Sequence, residues 1–433
     1  MSLTSSLLSK PVTLSWWRVF DSEDDVKDII TAYEKLHPNI TIEYRRLRLE
    51  EYEQKLLEAM AEDRGPDIFS FHNTWAGKYA SRLLPMPPKI TLPFQSFQGT
   101  LKKELVTELK TTLTPSFASL KDQFVDVVGE DITASVLGLP LALDTLALYA
   151  NRGLLNQKGI PFPPKTWEEF QEQVIALTST NAQGEILTAG AALGTALNIP
   201  RAFDILSVLM MQNGTEMANA SGAVLFNKMP ALLSGVKELS PGLEALIFYT
   251  NFAKPFKEVY TWDDNMPNAL EAFTSGKTAF FFGYAYHRPS ILAAAPKMNF
   301  IIAPLPQLSS QGEKINYANY WLEGVSQKTL FKEKYAEWAW DFILFATGEK
   351  NVVSYLNKVK KPAALRGLLP LQESDPDLKV FSSQAFTAKS WYRGKNPLAA
   401  EQAFLQTIGL SQGEGQELSQ ALEIGASKVQ ESY

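Results

Sequence analysis

Apolar and polar residues recur with two different periods along the first 75 residues. Val12–Trp17 is a short apolar run rich in strand formers. Ser22 then caps a helix whose apolar residues Val26, Ile29, Ile30 and Tyr33 fall at i, i+3, i+4 and i+7. His37-Pro38 ends that helix, because proline disfavours a helical residue before it. Ile40, Ile42 and Tyr44 alternate with Thr41 and Glu43, the mark of a strand with one buried face. Tyr52, Leu56 and Met60 space out a second helix, and Gly65-Pro66 turns into a third strand, Asp67–Phe71. Strand, helix, strand, helix, strand at this spacing is the pattern of a doubly wound parallel sheet.

A second region begins near Gly138. Residues 137–153 hold two apolar strand-like runs broken at Pro140 and Asp144. Thr166 and Glu169 form a capping box, and Pro163-Pro164 blocks any earlier helix start. Residues 275–284 read as a turn followed by a fully apolar strand, and Phe300–Leu305 as another strand. Tyr335, Trp338, Ala339 and Phe342 form a helical stripe. The proline-rich stretch 83–94 reads as a surface excursion.

Length changes the picture first. At 433 residues the chain exceeds what one hydrophobic core holds, about 250–300 residues, so two lobes are expected. The net charge of −6 argues against a nucleic-acid backbone binder, which needs a basic face. With no cysteine, thiol catalysis, disulfides and cysteine metal sites are excluded. No apolar run reaches the 18 or so residues of a membrane-spanning helix. The start, Met1–Lys10, lacks an apolar core long enough for a secretory signal, which leaves a cytoplasmic protein or one whose leader has been removed. His37, His72 and His287 match no metal-ligand spacing, and no nucleophile elbow, Walker A loop or dinucleotide fingerprint occurs. A pair of carboxylates could still be assembled in space, so a carbohydrate-acting enzyme stays open as an alternative.

Four stretches, in order, resemble the family 1 extracellular solute-binding proteins of ABC importers, the maltose-binding-protein type. VTLSWWRVF leads to AYEKLHPNITIEY, similar to F-E-K-x-x-P-x-I-x-V. YEQKLLEAMAEDRGPDIFSFHNTW follows Y-x-x-K-L…G-x-x-P-D. GLPLALDTLALYANRGLLNQKGIPFPPKTWEEF resembles G-x-P…D-x-x-x-L-x-Y-N-K…P-P-x-T-W-x-E, with Ala150-Asn151-Arg152 departing from its aromatic-Asn-Lys. ALEAFTSGKTAFFFGYAYH resembles F-x-x-G-K-x-A-M…G. An insert at 86–130 has no counterpart in the pattern. The resemblance implies a type II periplasmic-binding-protein fold, two doubly wound mixed α/β sheets joined by crossover hinge strands. Lobe 1 is expected at 11–140 plus 307–352, and lobe 2 at 141–306 plus 353–433. It also implies a non-enzymatic monomer that takes no cofactor or metal and binds no nucleic acid. Its expected partners are a small carbohydrate or related polyol and the transmembrane subunits of a permease. It would act outside the cytoplasm, with its leader removed. A ligand-sensing adaptor for a membrane receptor would share the same sequence pattern.

Ring faces for stacking and polar groups for hydroxyls are what a sugar cleft needs, and ligands sit beyond the carboxyl ends of strands in such sheets. The candidates after each strand are Trp16, Trp17, Arg18, Asn73, Trp75, Asp144, Trp262, Tyr284, Tyr286, Tyr320, Trp321 and Trp391. The resemblance carries Trp16, Trp17, Tyr284 and Tyr286 over as ligand-facing positions. Strand alternation sends one of Trp16 and Trp17 into a lobe. Trp262 sits in a loop before Asp263-Asp264, and Asp144 suits a hinge as well as a ligand hydroxyl.

Overall fold

The computed structural model describes residues 10–98, 104–411 and 416–433. Residues 1–9, read above as lacking a secretory signal, lie outside the described residues, as do 99–103 of the insert. The chain forms two compact units. Unit 1 comprises Met1–Leu143 and Tyr320–Leu369, and unit 2 comprises Asp144–Asn319 and Pro370–Tyr433. The chain therefore crosses after Leu143, Asn319 and Leu369, whereas the sequence placed the changes at 140, 306 and 352. Two of the crossings fall inside continuous strands, because a hydrogen-bonded strand needs no proline or turn to pass from one unit to the next.

Unit 1 opens with β1 (Val12–Val19), α1 (Glu23–Leu36), β2 (Ile40–Leu47), α2 (Leu49–Ala61) and β3 (Ile68–His72). Ser22 starts α1: its backbone N–H and hydroxyl both donate to Asp25 Oδ2, at 2.6 and 2.7 Å. Glu23, Asp24 and Asp25 in the first turn suit the positive end of the helix dipole. Val26, Ile29 and Tyr33 are the buried face that the spacing predicts. β1 lies parallel to both β2 and β3. The stretch 83–94 is not a surface excursion. β4 (Leu83–Leu84) joins the sheet, and β5 (Lys89–Gln98) pairs along its length with β6 (Glu104–Leu113) in a two-stranded ribbon. The prolines disguised this strand; Pro93 sits inside β5, where a ribbon without further neighbours tolerates a missing N–H. β7 (Leu139–Thr145) carries the chain out of the unit.

Unit 2 is built on β8 (Ala147–Asn151), β9 (Ser179–Thr180), β10 (Ile186–Ala191), β11 (Thr278–Gly283) and β12 (Phe300–Ala303), in the order β12-β8-β11-β10-β9. Only β10 and β11 run parallel, so the sheet is mixed. α3 (Trp167–Leu177) is capped by Thr166, whose Oγ1 accepts from Glu169 N–H at 3.2 Å. The Glu169 carboxylate reaches the Lys165 N–H, one residue before the cap. α3 packs directly on β10: a Cβ at Gly190 would lie 2.5 Å from the Val174 carbonyl oxygen, so only glycine fits. Trp167, Phe170, Phe252, Phe280 and Phe282 interlock in the interior, joined by α4 (Ala202–Gln212) and α5 (Pro241–Asn251).

β13 (Asn316–Ser326) starts in unit 2 and ends in unit 1. From Trp321 onward it runs antiparallel to β3, and at Val325-Ser326 it pairs with β4. The unit 1 sheet therefore reads β13-β3-β1-β2. α6 (Tyr335–Thr347) and α7 (Glu349–Val359) cover it, with Trp338, Trp340 and Phe342 buried. The last passage returns to unit 2, where β14 (Ala388–Lys389) runs beside Asn316-Tyr317 and α8 (Pro397–Leu410) and α9 (Gln416–Glu431) close the chain. Among the described residues no helix is long and apolar enough to cross a membrane.

Candidate functional site

In unit 1 the carboxyl ends of β1 and β3 and the entry of β13 gather an aromatic patch. Trp321, next after the crossing, is half-buried and takes edge-on contacts from Trp75, His72, Tyr52 and Phe20 at centroid distances of 5.2, 5.4, 5.8 and 6.0 Å. Trp75 stacks on Tyr79 at 5.8 Å. Phe20 holds a left-handed backbone, φ 70°, a conformation that costs a bulky residue on the order of 1–2 kcal/mol. That turn leaves its ring 45% exposed at the edge of Trp321.

Unit 1 also buries an ion-paired network. The Arg18 guanidinium meets Glu323 at 2.9 Å and Asp21 at 3.1 Å. Trp16 Nε1 donates to Glu323 at 2.7 Å, and Ser70 Oγ donates to the same carboxylate. Lys361 and the Tyr355 hydroxyl complete Asp21 at 2.8 and 2.9 Å. Burial works against the Arg18 charge, but Glu323, Tyr355 and Asp21 outweigh it and hold the guanidinium protonated. Burial alone would raise Asp21; Lys361 and Arg18 instead bring its carboxyl below the usual range. For Glu323 burial wins, and its carboxyl rises above the usual range despite Arg18.

Unit 2 carries the second cluster, also beside its crossings. Asp144, first residue of the unit, accepts the Ala285 N–H at 3.0 Å and the Tyr286 N–H at 3.4 Å. Asn319, last residue before the second crossing, donates to the Tyr284 hydroxyl at 2.7 Å and to Asp204 at 3.3 Å. The Tyr284 hydroxyl in turn donates to Asp204 at 2.8 Å, and Arg201 approaches the same carboxylate at 3.3 Å. Burial pushes the Asp204 carboxyl up, against the pull of Arg201. Tyr286 stacks on Tyr284 at 5.8 Å and on His287 at 4.1 Å, and is 42% exposed. Burial pushes its hydroxyl up to about 12, so it stays a neutral donor. The two residues that flank the crossings thus fix one loop, Tyr284–His287, which presents a ring face.

The sequence candidates divide accordingly. Trp75 and Trp321 meet in the unit 1 patch, and Asp144, Tyr284 and Tyr286 in the unit 2 cluster. Trp16 is fully buried between Tyr44 and Phe342, with its indole N–H spent on Glu323. Trp17 is also buried, under the Arg45 guanidinium at 4.5 Å, and Arg18 is committed to the network. Asn73 and Tyr320 are buried, and the Tyr320 hydroxyl donates to the Val127 carbonyl at 2.8 Å. Trp262 is a core residue of unit 2 bonded to Asn198 at 3.0 Å, rather than a loop surface. Trp391 lies against α4, stacked on Phe203 at 5.8 Å and donating to Ser207.

Sequence reasoning passed over Phe20, Arg201, Asp204 and Asn319. A lone acid in the otherwise apolar helix AFDILSVLMMQ was a usable signal for Asp204; the left-handed Phe20 leaves no trace in composition. Among the described residues no three His, Cys, Asp or Glu side chains gather closely enough to hold a metal ion.

Comparison with known proteins identifies the class. The family model for bacterial extracellular solute-binding proteins matches residues 21–353. The chain belongs to that family, one of binding proteins rather than enzymes, and is a solute-binding protein; membership implies an extracytoplasmic location. Solved structures sharing the fold include a cyclo/maltodextrin-binding protein complexed with maltotetraose, at TM-score 0.71 and 18% identity over 98% of this chain and 97% of that one. The cyclic α-maltosyl-1,6-maltose binding protein of Arthrobacter globiformis superposes at TM-score 0.71, with 17% identity over 98% and 99%. An ABC transporter solute-binding protein of Thermotoga lettingae, bound with α-D-tagatose, gives 0.68 and 16% over 98% and 99%. At identities this low the superposition shows the fold alone, the mixed-sheet periplasmic-binding-protein fold of these two-lobed proteins.

Proposed function

We infer that this protein captures a carbohydrate, an oligosaccharide or related polyol, and delivers it to the membrane subunits of an ABC importer. The observation that carries the reading is the Tyr286 ring, 42% exposed on a loop that Asp144 and Asn319 hold in place. Such a platform suits the C–H face of a pyranose. The named relatives, bound to maltotetraose and tagatose, support the same ligand class. In this reading units 1 and 2 are the lobes of a clamp. In unit 1 the rings of Trp321, Trp75 and Phe20 are the stacking candidates, and in unit 2 the ring of Tyr286. The protein acts as a monomer and turns nothing over.

A thermal-shift panel of mono- and oligosaccharides, polyols, amino acids and sugar phosphates tests this. A saccharide at a hundred times its dissociation constant stabilises by about 2.7 kcal/mol. A response confined to amino acids would overturn the ligand class, and saccharide conversion over hours would overturn the transport reading.

A further inference from the structure

Unit 2 contains a cavity of about 60 Å³ whose polar lining is Arg201, Asn268 and His287. The rest of its wall is aliphatic or phenyl. Each of the three polar side chains has its accepting or charge-paired side turned to the protein. Arg201 uses Nη1 on Asp204, while its buried Nε–H has no partner among the described residues. His287 Nδ1 accepts the Tyr284 N–H at 2.9 Å, which leaves the ring proton on Nε2. Burial, helped by the Arg201 charge, pushes that imidazole down to about 3, so it is neutral near pH 7. Asn268 Oδ1 accepts the Leu270 N–H at 3.1 Å, which leaves its amide N–H groups. The three polar residues of the wall thus keep N–H donors to spare, one of them on a guanidinium and buried without an acceptor among the described residues.

We propose that this cavity is a binding site for a small anion, a halide or a single carboxylate. A buried donor without an acceptor is costly, and an ionic acceptor forms the stronger hydrogen bond. Room for one water-sized group needs about 10–15 Å³, so bromide, formate or the carboxylate of a sugar acid fits the volume. Asp204 and Glu401 are the acidic groups acting on Arg201. They balance much of its charge, which favours a monovalent anion over phosphate. The proposal stands apart from the carbohydrate reading, since the site lies in one unit and needs no sugar.

The test measures melting temperature of the full chain against formate and bromide, with ionic strength held constant by a bulky sulfonate salt. Saturable stabilisation is expected for the native protein, with at least tenfold weaker apparent affinity in Arg201→Gln. Anomalous scattering from bromide-soaked crystals should place a peak beside Arg201 Nε, a readout that needs no variant. A linear response equal in both proteins, or crystals with no such peak, would overturn the site. Galacturonate compared with galactose separates the sources. Added stabilisation by the acid, lost in Arg201→Gln, assigns the carboxylate to the solute; stabilisation by formate alone assigns a free anion.

Discussion

Both units bury charge next to the residues where the chain crosses, yet they finish the task differently. In unit 1 Arg18, Asp21, Glu323 and Lys361 pair with one another, and Trp16, Ser70 and Tyr355 take up remaining lone pairs; Arg18 Nη1 makes no well-formed hydrogen bond among the described residues but lies 3.1 Å from the Asp21 carboxylate. In unit 2 the Asp204 carboxylate is satisfied, but the Arg201 Nε–H and the Tyr317 hydroxyl are left buried without partners among the described residues. A closed network fixes where strands β1, β3 and β13 sit relative to each other. An open one keeps donors in reserve, at a stability cost of about 1–3 kcal/mol for each unpaired group. That difference is one of charge pairing: the unit 1 guanidinium meets two carboxylates, and the unit 2 guanidinium meets one while its Nε–H stays unbonded among the described residues.

The largest test of the contrast is Glu323→Gln. It leaves Arg18 and Asp21 in a buried network with the balance broken, and should cost about 3–5 kcal/mol in urea unfolding. A loss below 1 kcal/mol would remove the claim that unit 1 depends on closure.

Acid titration probes the other unit. The folded His287 imidazole is depressed to about 3, below its unfolded value near 6.5. Between those values the unfolded chain binds the extra proton, so stability is complete above about pH 6.5 and falls as pH drops toward 3. The slope approaches about 1.4 kcal/mol per pH unit and should flatten in His287→Gln.

Tyr284→Phe removes a hydroxyl that bonds to both Asp204 and Asn319, and should cost about 1–3 kcal/mol. Tyr286→Ala should weaken saccharide binding roughly tenfold to a hundredfold, with under about 1 kcal/mol of stability lost, since the ring is half-exposed. Calorimetric titration separates the two effects. Tyr317→Phe runs the other way: deleting a buried hydroxyl with no partner among the described residues should leave stability unchanged or raise it, by up to about 1–3 kcal/mol. A loss comparable with Tyr284→Phe would mean the unit 2 network is as closed as that of unit 1.

Local physics made much of this protein legible from its residues. The 3.6-residue spacing of Val26, Ile29 and Tyr33, the alternation after Ile40 and the caps at Ser22 and Thr166 depend on neighbours within a few positions, and all appear in the structure. The loop after β11 stood out because aromatics follow an apolar strand, and Tyr286 does present a ring there. The β5–β6 ribbon was hidden because proline content signals a loop only when no partner strand is available. Trp16 and Trp262 were ambiguous for a similar reason: an indole suits a cleft or a core equally until the partner of its N–H is known.

The sequence by itself determined the alternation of strands and helices, the need for two cores, and membership in a binding-protein family. Only the tertiary structure decided which polar groups converge. Asp204 and Asn319 are 115 positions apart, and Arg18 and Glu323 are 305 apart. Burial and pairing are properties of groups brought together by chain reversal, and no periodicity along the chain encodes which charged residue will meet which. The same folding step separates a spent donor such as Trp16 Nε1 from one left unbonded among the described residues, such as Arg201 Nε.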